Sequence, residues 1–144
     1  MAGCPHHVPV YPGAAVCQVG TGSDSFTPIH PGDRVAISRG IQGGSHIWAS
    51  VRARWVSGSG ATQAYTLSLA DGTVLSTQDQ TTDLAAVAPS TQAGETGWEE
   101  SLGSRAFVSD PGALDGKSVK LHVDLTDEDG RACSDEQTFV AYLP

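Results

Sequence analysis

The stretch His46-Ile-Trp-Ala-Ser-Val-Arg-Ala-Arg-Trp-Val56 decides the fold class of this 144-residue chain. Its small or apolar residues stand at every second position, and they are Ile47, Ala49, Val51, Ala53 and Trp55. The residues between them fall on the opposite face, and they are His46, Trp48, Ser50, Arg52 and Arg54. A period of two indicates a β-strand with one buried face, because apolar positions in a helix recur every three or four residues.

Similar short patterns follow along the chain. Ala64–Leu69 and Thr73–Ser76 flank Ala70-Asp71-Gly72, and an Asp-Gly pair between two such runs predicts a β-hairpin because Gly accepts positive φ. Residues 79–103 show little pattern, apart from a candidate strand at 83–87, and are predicted to be mostly loop. Alternation at residues 34–39 predicts one strand before the central one, and residues 105–109 and 117–126 are predicted to form strands after it. Residues 131–143 are predicted to form the last strand.

The complete pattern predicts an all-β fold, namely a two-sheet antiparallel sandwich of about seven or eight strands. The 17 Gly and 8 Pro residues favour short strands joined by many turns. Residues 1–14 contain three prolines and a His pair, and are predicted to be an N-terminal tether or edge segment. Residues 15–144 are then expected to form a single β-sandwich domain.

Two segments resemble known families. Residues 116–132, with the strand Val119-Lys-Leu-His-Val-Asp-Leu125 and an Asp-Gly turn, resemble the closing hairpin of bacterial immunoglobulin-like and fibronectin type III-like domains. Gly43-Gly-Ser-His-Ile-Trp48 is similar to a segment of secreted or lipoprotein-type proteobacterial domains of uncharacterised function. The resemblance implies an immunoglobulin-like sandwich and implies no activity.

The three cysteines bear on the compartment. Cys17 and Cys133 lie in the predicted first and last strands, so a disulfide between them is the economical interpretation, and two buried free thiols in a cytosolic protein are the alternative. A disulfide would indicate an extracytoplasmic location: the periplasm, the cell surface or an outer-membrane lipoprotein. Met1-Ala-Gly-Cys4 resembles the end of a bacterial lipoprotein signal, which implies lipidation of Cys4 and a membrane tether there.

Charge and motifs exclude several function classes. A net charge of −8 argues against nucleic-acid and anionic-membrane partners, which need clustered Lys and Arg. The sequence has no G-x-S-x-G elbow and no H-E-x-x-H pair, so no enzyme activity and no cofactor are predicted. We therefore expect a non-catalytic binding or interaction module.

The first candidate site is the polar face of the central strand, with His46, Trp48, Arg52 and Arg54. Arg supplies forked donors and Trp supplies a flat apolar surface, so this face would suit a protein or a small anionic or carbohydrate ligand. The alternative is that these side chains only cover an exposed sheet, or that residues 79–103 bury Trp48.

The second candidate is a Cu or Zn site formed by the N-terminal Cys4, His6 and His7, since imidazole and thiolate are ligands for both metals. His30, His46 and His122 are further candidate ligands. A solvated tail is the alternative, because the adjacent histidines have no H-x-x-x-H or H-x-H spacing. This hypothesis gives a metal-binding domain instead of an interaction module.

Acidic residues crowd around the last predicted turn, at Asp124, Asp127, Glu128, Asp129, Asp135 and Glu136. Clustered carboxylates can hold Ca²⁺, but the EF-hand spacing fails here and an ordinary hairpin turn explains the same residues. A further functional hypothesis is a structural subunit of a surface assembly, in which open sheet edges self-assemble by strand addition.

Overall fold

The predicted alternation of the central strand is confirmed. In the computed structural model, which describes residues 9–40, 43–87 and 97–144, the side chains of Ile47, Ala49, Val51 and Ala53 are fully buried. The strand ends at Arg54, two residues before the predicted end at Val56. Trp55 leaves the strand with φ of +61° and is half-buried, and Val56 takes the next interior position at 4% exposure.

The described residues form eleven strands and one short helix. In chain order they are β1 (Val16–Thr21), β2 (Thr27–Pro28), β3 (Arg34–Ala36), β4 (Ser38–Arg39), β5 (Ser45–Arg54), β6 (Ala61–Leu69), β7 (Val74–Thr82), β8 (Ala85–Ala86), β9 (Trp98–Val108), α1 (Pro111–Leu114), β10 (Ser118–Thr126) and β11 (Ala132–Tyr142). No helix within these residues is long and apolar enough to span a membrane.

The strands build two sheets, which confirms the predicted all-β two-sheet sandwich. Sheet A has the order β2-β1-β5-β9-β8, with β4 also paired to β5. Sheet B has the order β3-β11-β10-β6-β7. Pairing is antiparallel throughout except between β3 and β11, which are parallel.

The strand count is higher than the predicted seven or eight, partly because one predicted strand divides between the sheets. The segment predicted as a single strand at residues 34–39 splits at Ile37, whose N–H donates to the Tyr142 carbonyl at 2.8 Å. Before that point β3 pairs with β11 in sheet B, and after it β4 pairs with β5 in sheet A.

The prediction that residues 79–103 are mostly loop is wrong for the described part of that segment. β7 continues to Thr82, β8 follows, and β9 begins at Trp98, while residues 88–96 lie outside the described residues. The pattern was hidden because the half-buried positions of β7 include Gln78, Gln80 and Thr82, which are polar. The predicted hairpin at Asp71-Gly72 is confirmed, with Gly72 at φ of +94°.

The predicted disulfide is also confirmed. Cys17 of β1 is bonded to Cys133 of β11, with a Cα–Cα distance of 5.5 Å and a sequence separation of 116. Because β1 belongs to sheet A and β11 to sheet B, the bond ties the two sheets together along one side. The Val19 N–H donates to Asp135 Oδ2 at 2.8 Å on the same side and adds a second tie.

Candidate functional site

The four side chains predicted to share a surface lie on the outer face of sheet A. They face β9, whose register places Phe107 opposite His46, Arg105 opposite Trp48, Glu100 opposite Arg52 and Trp98 opposite Arg54. We call this double row of eight residues the outer ladder. Its β9 half was not predicted, since residues 105–109 were predicted to form a strand but the sequence does not reveal which strand lies beside it.

At one end of the outer ladder, His46 and Trp48 meet edge to face, with ring centroids 4.3 Å apart. The Arg105 guanidinium lies over the Trp48 ring at 5.4 Å from its centroid. His46 is only 4% exposed, and its buried Nε2 has no hydrogen-bond partner within the described ranges. Burial, with a smaller contribution from the charge of Arg105, lowers the pKa of His46, which favours the neutral ring.

In the middle of the outer ladder, the Arg52 side chain is occupied by contacts within the protein. Its Nε donates to Glu100 Oε2 at 3.0 Å, and the two side chains are 16% and 17% exposed. The guanidinium also covers the Phe26 ring at 4.6 Å from its centroid. Arg52 lies on the predicted face, but its charge is already balanced by Glu100.

At the other end, Arg54 lies between two indole rings, at 4.3 Å from the Trp55 centroid and 5.8 Å from that of Trp98. Each such contact contributes about 0.5–1 kcal/mol at a partly exposed site. The side chains of Arg52 and Arg54 therefore pack on aromatic rings of the protein itself, Arg52 on Phe26 and Arg54 on Trp55 and Trp98. The accessible part of the ladder is the end with half-buried Trp48, exposed Arg105 and Phe107, which is 56% exposed.

Below Arg54, on the inner side of sheet A, Glu99 is a half-buried acid that the sequence did not reveal. A Cβ added at Gly58 would meet Glu99 Oε2, so glycine at this position leaves room for the carboxyl group where it lies. Burial raises the pKa of Glu99 above its ordinary value.

The further candidate ligands His30, His46 and His122 are not brought together as a metal site within the described residues. Cys4, His6 and His7 lie outside them, so that site stays a prediction. His30 Nδ1 lies 3.4 Å from Asp33 Oδ2, whereas His122 is on β10, between Asp124 at 3.0 Å and Glu136 at 3.2 Å. No group of three or more His, Cys, Asp or Glu side chains arranged for a metal ion occurs in residues 9–40, 43–87 and 97–144.

The acidic cluster divides into separate structural contacts. Asp127, which is 4% exposed, accepts hydrogen bonds from the backbone N–H groups of Ser57, Asp129 and Arg131 at 2.8–2.9 Å. Asp135 accepts from β1, as described above. The alternative of an ordinary hairpin turn, organised here by Asp127, explains the cluster.

Comparisons with known proteins found similarity only among solved structures. No protein-family model matches the chain, and no curated protein matches it. Among solved structures, the chain is similar to the CooA pilin subunit from enterotoxigenic Escherichia coli, with 15% sequence identity over 88% of this chain and 99% of that chain. The TM-score of that superposition is 0.36, which is too low to carry an argument about function.

Proposed function

We propose that this chain is a non-catalytic interaction module of the extracytoplasmic space that binds an anionic ligand on the outer face of sheet A. The observation that carries the proposal is the accessible end of the outer ladder, where a guanidinium covers an indole ring beside an exposed phenyl ring. Flat apolar surface next to a forked cation suits a ligand with an apolar or sugar face and a carboxylate. A carboxylated carbohydrate or an acidic peptide has that chemistry.

The site differs from the predicted one in the cation that would meet the ligand. Arg52 is neutralised by Glu100, whereas Arg105 is exposed and lies loosely over Trp48, at a longer centroid distance than Arg52 keeps from Phe26. Displacing Arg105 from Trp48 would therefore cost less than displacing Arg52. Trp48 and Arg105 are the proposed ligand contacts, with His46, Arg52 and Arg54 as their supports.

The disulfide supports the proposed compartment. Disulfides persist in the periplasm and at cell surfaces and are rare in the cytosol, so the Cys17–Cys133 bond favours export. The proposal also includes four predictions from the sequence. They are lipidation at Cys4, the tether role of residues 1–14, the single domain at residues 15–144 and the immunoglobulin-like family. Within the described part of the first segment, the Arg131 guanidinium lies over the Tyr11 ring at 4.8 Å from its centroid.

Tryptophan fluorescence titration with an oligogalacturonate tests the site, with the uncharged maltohexaose as the matched probe. We expect saturable quenching by the acidic sugar alone, weakened at least tenfold in Trp48→Ala and Arg105→Ala. Lys120→Ala, which removes a cation from sheet B instead, should bind like the native chain. Equal binding by all three variants would place the ligand elsewhere, and equal binding of both sugars would remove the role of Arg105.

A further inference from the structure

One arginine of the chain lacks the contact that the others make. Five guanidinium groups lie over aromatic rings, and they belong to Arg34, Arg52, Arg54, Arg105 and Arg131. The sixth arginine, Arg39, is exposed, and its side chain makes no ion pair, hydrogen bond or ring contact with another residue of the described ranges. A free guanidinium offers a planar fork of N–H donors, which suits a carboxylate. Arg39 is therefore the arginine most free to bind a ligand.

Arg39 lies at one end of the sandwich, in a row that crosses three strands of sheet A. It is paired with Ser45 of β5, which is paired in turn with Val108 of β9. Residues directly opposite one another in antiparallel strands project from the same face of a sheet. Val108 is 6% exposed and belongs to the core, so Arg39 also projects from the inner face. This is the face opposite to the outer ladder.

A cleft opens between the sheets at this end. Its outer part is a cavity of about 660 Å³, whose lining includes Arg39 and Ser45. Its inner part is a cavity of about 130 Å³, whose lining includes Leu114. Leu75 and Val108 line both parts, so the two cavities form one cleft. Its size is typical of small-molecule sites in proteins.

The inner part of the cleft suits a short apolar side chain. Its walls include four aliphatic side chains, which are those of Leu69, Leu75, Val108 and Leu114. Leu75 is the extra residue at the register shift between β6 and β7, and it is only half-buried although it packs against the core. Such bulges re-aim side chains beside functional sites. An apolar cavity of about 150 Å³ stays dry and accepts a molecule of the size of benzene, so a branched aliphatic side chain fits this one.

A carboxylate lies at the same cleft. Asp110 lines the inner cavity and is exposed, and its Oδ1 accepts a hydrogen bond from the Ala113 N–H at 3.1 Å. Its side chain makes no ion pair with another residue of the described ranges. Val108 lies two strand spacings, or about 10 Å, from Arg39, and Asp110 follows Val108 by two residues. The cation and the carboxylate therefore flank the cleft without pairing with each other.

The charges at the cleft decide between classes of ligand. Among its described lining residues, Arg39 is the only cation and Asp110 is the only carboxylate. A ligand with a single charge would satisfy one of these groups and meet a like charge at the other. A zwitterion satisfies both, and because it has no net charge, the chain's net charge of −8 does not repel it. An α-amino acid is a zwitterion whose side chain extends away from both charges.

We propose that this cleft binds a free α-amino acid with an apolar side chain. The carboxylate of the amino acid lies on Arg39, its ammonium group lies on Asp110, and its side chain enters the cavity beside Leu75. This inference goes beyond the proposed function, because the cleft opens on the inner face of sheet A and uses neither Trp48 nor Arg105. Phe107 lines the outer cavity as well as the outer ladder, so it is left unchanged in the test.

Amide NMR shifts of the full chain titrated with L-leucine test the site. We expect saturable shifts at Gly44 and Ser109, which line the cleft. Three matched probes each lack one feature of leucine: 4-methylpentanoate has no ammonium group, 3-methylbutylamine has no carboxylate, and glycine has no apolar side chain. Each probe should bind at least tenfold more weakly than leucine.

Arg39→Gln and Asp110→Asn should each weaken leucine binding at least tenfold. Both positions are exposed, and asparagine can still accept the hydrogen bond from the Ala113 N–H, so neither change should unfold the chain. The matched controls are Arg34→Gln and Asp24→Asn, which remove the same charges elsewhere on the surface. Both control variants should bind leucine like the native chain.

Trp48→Ala should leave leucine binding intact, which separates this result from a failure of the outer-face site. Binding of 4-methylpentanoate as tight as that of leucine would overturn the role of Asp110, and with it the choice of an amino acid. The site itself would be overturned by any of three results: no saturable shift up to the solubility limit of leucine, shifts confined to residues outside the cleft, or full binding by Arg39→Gln.

Discussion

Removing the Cys17–Cys133 bond should produce a large and calculable loss of stability. The bond closes a loop with a sequence separation of 116, for which the chain-entropy model gives about 5 kcal/mol at 25 °C. With an unfolding entropy of about 2.1 cal/mol/K per residue, a chain of this length has about 0.3 kcal/mol/K in total. The melting temperature of Cys17→Ala/Cys133→Ala should therefore fall by about 16 °C.

The assay is calorimetric melting in a Cys4→Ser background, which removes the third thiol and so prevents disulfide exchange. Cys4→Ser alone is the control and should melt like the native chain. The native chain treated with reductant should match the double variant, because both lack the same constraint on the unfolded state. A fall of less than about 3 °C would refute the reasoning, since it would mean that the unfolded chain gains little freedom when the bond is lost.

Three further predictions concern single side chains. Asp127→Ala should cost about 3 kcal/mol in urea unfolding because three backbone N–H groups lose their acceptor, while exposed Asp24→Ala should cost almost nothing, and equal losses would contradict this account. The raised pKa of Glu99 means that its contribution to stability is present below about pH 4.3 and is lost as pH rises through the folded-state pKa. Glu99→Gln should therefore gain melting temperature relative to the native chain between pH 4 and pH 7, and parallel pH profiles would argue against a buried carboxyl. Burial lowers the pKa of His46, so protonation opposes folding and the native chain should lose stability as the pH falls below about 6.5. His46→Gln should lose less stability over the same pH range. Identical acid profiles for the two proteins would show that this ring is not desolvated.

Local patterns in the sequence were sufficient for the strands that have one apolar face. β5 and β10 were predicted because apolar or small residues alternate with polar ones along most of their length, and the β6–β7 hairpin was predicted because Asp71-Gly72 specifies a tight turn. The disulfide followed from the positions of two cysteines in the first and last strands. The later part of β7 and the start of β9 were missed because polar side chains occupy interior-facing positions there, among them Gln80, Glu99 and Ser101.

The candidate site was only half predictable for a related reason. The alternation in the sequence placed His46, Trp48, Arg52 and Arg54 on one face, but it does not predict which strand lies beside them. The register of β9 brings Glu100 to Arg52 and Arg105 to Trp48 across more than 45 residues of chain, and these contacts decide which guanidinium is occupied and which is accessible.

The sequence by itself determined the class of fold and the central strand, because both depend on local period and residue type. It also favoured the disulfide between the first and last strands over two free thiols. The tertiary structure alone decided that the disulfide joins the two sheets along one side of the sandwich and that β7 lies beside β9 along the other. Long-range contacts decide which strands meet and how far each pairing extends, and these contacts leave no periodic pattern in the sequence.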